Sequence, residues 1–188
     1  MTDAELPTVA SVAAAFRTAL ELPGEAAAGL LGALLGLHAN NVAQWQLEDA
    51  ARDPLATDAE VAGAKRGIDR LNLTRHQFVE QVDGLIDDVL TPSAGAPPAT
   101  ESPGMAFDRL SVLIIRLHYT EVASSSSAGN LGLYRERLPA LREQVASLEA
   151  ALEQLLRDVR EGQRSFLPYR QLKLYGQDAE PTTRASRT

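Results

Sequence analysis

Hydrophobic positions recur along this chain three and four residues apart, and breaks rich in proline, glycine and serine separate the periodic segments. A short first helix is predicted before Pro23-Gly24, with apolar positions at Val9, Val12, Phe16 and Leu20. A second helix runs towards Pro54. No window shows the two-residue alternation of a β-strand. The pattern therefore predicts an all-α fold, an antiparallel helical bundle with long hairpin helices.

A third, longer helix is predicted after the sequence TDAE (57–60), which has the spacing of a capping box. Its apolar stripe lasts about eight turns, and Arg75 is the charged residue that interrupts it. An unpaired buried guanidinium costs several kcal/mol. We therefore expect Arg75 to pair with Glu48 or Asp49 on the preceding helix.

Two breaks bound the fourth helix. Residues 91–102 contain several prolines and predict a flexible loop, because proline lacks a backbone donor and clashes with the preceding helical turn. Ser102-Pro103 suits the first positions of a helix. The low-complexity segment SSSSAGN (124–130) is interpreted as a second flexible loop.

The fifth helix has the most regular pattern, a heptad repeat that is typical of packing along another long helix, within the chain or across a homodimer. Pro139 should kink this helix or mark its start, and Gly162 suits its end. The repeat comprises Leu131, Tyr134, Leu138, Leu141, Val145, Leu148, Leu152, Leu155 and Val159. We predict one helical domain over residues 1–178 and a disordered tail at 179–188.

Composition and charge exclude several classes of partner and of functional site. The formal net charge of −7 argues against broad binding to nucleic acid or to an anionic membrane. The absence of cysteine excludes a disulfide, a thiolate nucleophile and a zinc–cysteine site, and it fits a reducing, cytoplasmic location. The apolar segment 25–37 is too short to span a bilayer. No nucleic-acid or membrane partner is expected.

The second helix carries the densest set of candidate functional residues. At about 100° per residue, one stripe holds His38, Asn41, Trp45, Glu48 and Arg52, with Asp49 beside it. Since a neighbouring apolar arc can face the core, the stripe either meets water or forms a second contact surface, and an exposed indole is unfavourable. Three interpretations are open: a buried polar network that includes Arg75, Asn41 and Asn72, a ligand or catalytic site, and a partner-docking face.

Further candidates lie near the fourth helix and in the tail. Asp108 is placed to interact with free N–H groups at a helix start, and Arg109 to pair across the bundle. Tyr169, Arg170 and Lys173 either clamp a phosphate or sugar nucleotide or belong to a lid packed through Phe166, Leu172, Leu174 and Tyr175. If the chain has a ligand pocket, its predicted lining is His38, Glu48, Arg75, Arg109 and Arg170.

Catalytic motifs are missing from the sequence: there is no G-x-S-x-G, no P-loop and no H-E-x-x-H. Helical bundles that bind metal through carboxylates use Glu-x-x-His, whereas the order here is reversed at His118 and Glu121. No metal and no other cofactor is expected. His38 is the candidate acid or base, oriented by Asn41 or by a carboxylate on another helix. The other candidate catalytic residues are Glu48, Asp49 and Arg75.

The chain resembles a bacterial protein family of unknown function through three ordered blocks. They read LHANNVAQWQLEDAAR (37–52), SPGMAFDRLSVL (102–113) and YRQLKLYGQD (169–178), so the resemblance covers about Leu37 to Asp178. It implies a helical domain and no established activity. Because members of the family often accompany enzymes of glycan or natural-product biosynthesis, it also implies an accessory role in such a pathway. Of the three histidines, His38 matches a family histidine directly.

Two functions follow as hypotheses. The first is a non-catalytic binding or assembly module of a bacterial glycan or natural-product pathway, with a biosynthetic enzyme as partner and a homodimer through the 131–159 helix. The alternative is a small enzyme that acts on a phosphorylated or glycosylated metabolite. An open cavity lined by His38, Glu48 and Arg75 favours the enzyme, and closure of these groups by side chains favours the module.

Overall fold

A computed structural model of the chain describes residues 6–22, 27–93, 95–125 and 131–172. They form five α-helices: α1 Val9–Glu21, α2 Gly29–Ala50, α3 Asp58–Leu90, α4 Pro103–Ser125 and α5 Leu131–Arg160. Among the described residues, Pro98 and Ser165 form an isolated parallel β-bridge. The predicted all-α helical bundle is therefore confirmed. The predicted break at Pro23-Gly24 lies outside the described residues, as do residues 126–130 and the tail at 179–188.

Local chemistry sets the helix starts as predicted. The Thr57 hydroxyl accepts a hydrogen bond from the Glu60 N–H, and the Glu60 carboxylate accepts one from the Thr57 N–H at 2.8 Å, which completes a capping box. Ser102 Oγ accepts from the Met105 N–H at 3.3 Å, and Pro103 is the first residue of α4. Both predicted starts are confirmed.

The heptad seam of α5 packs within the chain. Val145, Leu148, Leu152 and Val159 are buried in a core cluster that includes Phe16 of α1 and Phe107 of α4. Pro139 lies inside α5, and Gly162, with a positive φ of 71°, follows its end. The seam thus has an intramolecular partner along its C-terminal half.

The α2–α3 pair is an antiparallel hairpin in close contact. Gln44 of α2 donates to Asn72 of α3 at 3.1 Å, and nearer the turn Glu48 lies 3.9 Å from Lys65. The Phe78 side chain packs directly on the α2 backbone at Gly36, where an added Cβ would lie 2.5 Å from the Phe78 ring. This hairpin forms one wall of the candidate site.

Asp83 joins α3 to the start of α4 and to the chain beyond α5. Its buried carboxylate accepts from the Gly104 N–H at 2.6 Å and from the Tyr169 N–H at 2.8 Å. Burial raises the pKa of Asp83, while hydrogen bonds with Ser102, Tyr169 and Gly104 oppose that shift. Segment 95–102, part of the predicted loop, is tied to the same region because the Ala99 N–H donates to the Ser165 carbonyl at 2.7 Å. None of the described helices is both long and apolar enough to cross a membrane.

Gly104→Ala is expected to destabilise the fold by about 2 kcal/mol. An added Cβ would lie 2.7 Å from the Val79 carbonyl oxygen and 2.8 Å from Asp83 Oδ1, so α3 and α4 would have to separate. Urea unfolding measures the loss. The control is Gly84→Ala, where a Cβ meets nothing within 4 Å and the helix should gain about 0.5–1 kcal/mol. Equal stabilities of the two variants would contradict the close approach at Gly104.

Candidate functional site: a buried polar network and an adjoining cavity

Asp108 of α4 is the centre of a polar network that joins α2, α3 and α4. Arg75 Nε donates to both oxygens of its carboxylate, at 2.9 and 3.0 Å, and Asn41 Nδ2 donates to Oδ1 at 2.9 Å. The Asp108 side chain is 8% exposed, against 32% for Arg75. The carboxylate is therefore nearly closed off from water, while the guanidinium keeps one side open.

The predicted pairing of Arg75 with Glu48 or Asp49 is wrong. In the antiparallel register of the hairpin, Glu48 lies near Lys65, at 3.9 Å, and accepts from Arg52 at 2.7 Å. Lys65 precedes Arg75 by ten residues, which is about 15 Å along a helix. Helix α4, which packs against both α2 and α3, supplies the carboxylate instead.

His38 faces the core and not water. Its ring is 1% exposed and stacks on Phe16 with the ring centroids 4.5 Å apart. Its Nδ1 lies 2.9 Å from Ser111 Oγ, which also accepts from Asn41 at 3.1 Å. Burial lowers the pKa of His38 to about 4, and the nearby Phe16 backbone opposes this shift in part. The ring is therefore neutral at physiological pH.

A polar cavity of about 210 Å³ lies beside this network, between α2, α3 and α4. Three buried polar atoms of its lining residues, Asn41 Oδ1, Gln44 Oε1 and Trp45 Nε1, have no hydrogen-bond partner among the described residues. A buried polar atom left without a partner costs about 1–3 kcal/mol. The remaining lining residues are Glu48, Arg52, Arg75, Val112 and Ile115. Residues that line the cavity thus carry two acceptors and one donor without a protein partner.

Two wider spaces adjoin the polar cavity. An arginine cleft of about 700 Å³, lined by Arg75, Arg109, Arg116 and Glu143 among others, lies between α4 and α5. An aromatic cleft of about 850 Å³ includes Trp45, Tyr119 and Asp49 in its lining. The rings of Trp45 and Tyr119 stack with their centroids 5.6 Å apart, so the indole has a ring partner rather than free exposure to water.

The expectation that five residues converge on one pocket is only partly met. Glu48 and Arg75 line the polar cavity, and Arg75 and Arg109 line the arginine cleft. His38 lines none of these three spaces. Arg170 pairs instead with Glu80 on α3, at 2.8 Å.

Other candidate residues serve separate contacts. Asn72 accepts from Gln44 and is not part of the Asp108 network. Arg109 was expected to pair across the bundle, but it pairs with Glu101. Glu101 lies two residues before the start of α4, so this ion pair is local to the N-terminus of that helix. Tyr169 stacks on His76, and its hydroxyl lies 2.8 Å from His76 Nδ1.

The structure supports only part of the hypothesis that the chain beyond α5 is a packed lid. Phe166 is buried at 6% exposure, whereas Leu172 is 84% exposed and does not pack. Lys173, Leu174 and Tyr175 lie outside the described residues. No group of three or more histidine and acidic side chains suited to a metal ion occurs in the part of the chain that the structure describes.

Three residues of the site were not predicted from the sequence: Ser111, Arg116 and Tyr119. Ser111 follows Asp108 by three residues, so helical spacing alone places the two on one face. Tyr119 follows Asp108 by eleven residues, which is about three turns along the same face, and both Arg116 and Tyr119 line the aromatic cleft. Ser111 lies inside the block at 102–113, but no motif covers Arg116 or Tyr119, whose positions in the clefts depend on how α2 and α5 pack against α4.

Fold and site together define a class of protein: an all-α bundle in which a buried carboxylate joins three helices beside a small polar cavity. The chain belongs to the family described as "Protein of unknown function (DUF4254)", whose sequence model matches residues 32–167. The match spans α2 to α5 and so contains the whole network. No curated protein and no solved structure matches the chain.

His38 is expected to make the fold less stable in acid. Its pKa is about 4 when folded and its ordinary value is 6.5, so between these values the unfolded chain binds the proton more readily. The free energy of unfolding should therefore fall by about 3 kcal/mol as the pH drops through this window. Urea unfolding above pH 6.5 and near pH 4 measures it.

His38→Gln is the control for that measurement, because it removes the titrating ring. The raised pKa of Asp83 acts in the opposite direction, but it acts in both proteins and cancels in the comparison. The variant should lose less stability than the wild type on acidification. The same pH dependence in both proteins would contradict a buried neutral His38.

Arg75→Met is expected to destabilise the protein by about 2 kcal/mol, because the Asp108 carboxylate would keep Asn41 as its donor and lose its cation. The partial exposure of Arg75 keeps the figure below that of a fully buried pair. Arg75→Met combined with Asp108→Asn should recover most of the loss, since a neutral amide needs no counter-charge. Thermal and urea unfolding compare the two. If the double variant is no more stable than the single one, the stability lost in Arg75→Met does not come from the uncompensated charge of Asp108.

Proposed function

We propose that the protein is a cytoplasmic, non-catalytic binding module that holds a small polar ligand in the polar cavity between α2, α3 and α4. The observation that carries the proposal is the set of three buried polar atoms, Asn41 Oδ1, Gln44 Oε1 and Trp45 Nε1, which lack protein partners and belong to residues lining one cavity. Most buried polar groups in proteins are hydrogen-bonded. Unpaired groups that share a cavity favour a bound molecule there.

The state of His38 supports a role without catalysis. A general base must reach the proton that it abstracts and needs a pKa near the working pH. His38 is buried against Phe16, does not line the polar cavity, and has its pKa lowered to about 4. Its contact with Ser111 gives it a structural role in the network.

The enzyme alternative rests on Glu48 and Arg75, since both line the polar cavity. A carboxylate and a guanidinium can orient a polar metabolite, but Glu48 already accepts from Arg52 at 2.7 Å. His38, the candidate acid or base, lines neither this cavity nor the two clefts beside it. Binding is thus the better supported function.

The wider role proposed for the module is accessory to bacterial glycan or natural-product biosynthesis. Its support is the resemblance of the three sequence blocks to a family that accompanies such enzymes. Assembly with a biosynthetic enzyme or with a second copy through α5 would use exposed apolar side chains, of which Leu133 on α5 is 44% exposed and Val122 on α4 is 55% exposed. Solution mass at several concentrations tests the homodimer.

Equilibrium dialysis of the full chain against a panel of free sugars, polyols, sugar phosphates and amino acids tests the binding function. We expect at least one compound to be retained and recovered chemically unchanged, as measured by mass spectrometry. Gln44→Leu should lower its affinity about tenfold, because one buried acceptor is removed.

The matched control is Gln46→Leu, the same substitution two residues along at an exposed position of α2. It should bind like the wild type. Conversion of a retained compound to a product would overturn the non-catalytic role and favour the enzyme. Retention of nothing, or equal losses in the two leucine variants, would overturn binding in the polar cavity.

A further inference from the structure

The polar cavity and the arginine cleft are neighbours. Arg75 and Val112 line both spaces, and Trp45 lines both the polar cavity and the aromatic cleft. At about 210 Å³ the polar cavity is below the roughly 300–1,000 Å³ of a site for a whole drug-sized ligand. It therefore fits one small ring, and any further group of the same ligand would extend past Arg75 or Trp45 into a cleft.

Three unpaired atoms on residues that line the polar cavity define what kind of ring would suit it. Asn41 Oδ1 and Gln44 Oε1 need donors, whereas Trp45 Nε1 needs an acceptor. The orientation of the Asn41 amide is set by its Nδ2, which donates to Asp108 and Ser111. A hydroxyl group both donates and accepts, so a ring that carries several hydroxyls satisfies all three atoms. An anion cannot serve the two acceptors, and an ammonium group cannot serve the indole.

The arginine cleft adds positive charge beside that ring site. Arg75, Arg109 and Arg116 line it together with one acidic residue, Glu143. Arg75 is paired with Asp108 and Arg109 with Glu101. In the described part of the chain the exposed Arg116 side chain has neither an ion pair nor a hydrogen bond.

This local charge contrasts with the formal net charge of the chain, which is −7. A general attraction for anions is therefore not expected, and an anion that binds in the cleft must be held by these particular side chains. Guanidinium groups bind phosphate through paired hydrogen bonds in a fixed geometry. Arg116 lines both the arginine cleft and the aromatic cleft, so it is accessible from either space.

We propose that the ligand of the module is a phosphorylated sugar, with its hydroxylated ring in the polar cavity against Trp45 and its phosphoryl group in the arginine cleft on Arg116. The inference rests on the proposed binding function and names its ligand class. Asn41 and Gln44 accept from the ring hydroxyls, and the Trp45 indole donates to one of them. Arg75, held by Asp108, lies between the two halves of the site.

Isothermal titration calorimetry with the full chain tests this assignment. The probes are the 1-phosphates of glucose, galactose and mannose, the three free hexoses, and inorganic phosphate. At least one hexose 1-phosphate should bind about tenfold more tightly than its free hexose and than inorganic phosphate. Arg116→Gln should remove that advantage and leave the affinity for the free hexose unchanged, whereas Gln44→Leu should weaken both.

The matched control is Arg160→Gln, which removes the same charge from an exposed position in the last turn of α5, outside both clefts. It should bind the hexose 1-phosphate like the wild type. Equal weakening by Arg116→Gln and Arg160→Gln would mean general charge attraction and would overturn the assignment. So would inorganic phosphate binding as tightly as every sugar phosphate, or no sugar phosphate binding at all.

The two proposals can fail separately. If dialysis retains a polyol or an amino acid and Gln44→Leu releases it, while no sugar phosphate binds, the binding module stands and the phosphorylated sugar is wrong. If no compound in either experiment binds, both proposals are wrong.

Discussion

The ion pair between Asp108 and Arg75 is the interaction on which the candidate site depends. A carboxylate that is almost closed off from water is stable only with a cation and further donors close by, and Arg75 and Asn41 supply them from α3 and α2. One charged group thereby holds three helices at fixed positions. Removing any partner would leave either a buried charge or an unpaired amide.

The same network prepares the polar cavity. Both the Asp108 carboxylate and the Ser111 hydroxyl accept from the Asn41 nitrogen, and the amide oxygen of Asn41, a residue that lines the cavity, is left without a donor. Ser111 also contacts His38, which is neutral and packed against Phe16. Binding groups held by a second layer of hydrogen bonds in this way lose little freedom when a ligand arrives. The arrangement suits recognition more than proton transfer.

Much of the fold could be predicted from local patterns. The capping box at Thr57, the start of α4 at Pro103 and the end of α5 before Gly162 each depend on a few neighbouring residues. The site was harder to predict. Asn41 and Trp45, which were predicted to share one face of α2, both line the polar cavity. That face was not expected to hold a neutral core histidine, and Arg116 belongs to no sequence motif.

What the sequence determined by itself is the set of helices and their ends, because hydrophobic period, caps and prolines act over a few residues. It also showed that Arg75 would need a carboxylate. Only the tertiary structure decided which one. The antiparallel register places Glu48 near Lys65, and the approach of α4 brings Asp108 to Arg75. Register and helix approach are sums of packing contacts between residues far apart in the chain, and no local pattern contains them.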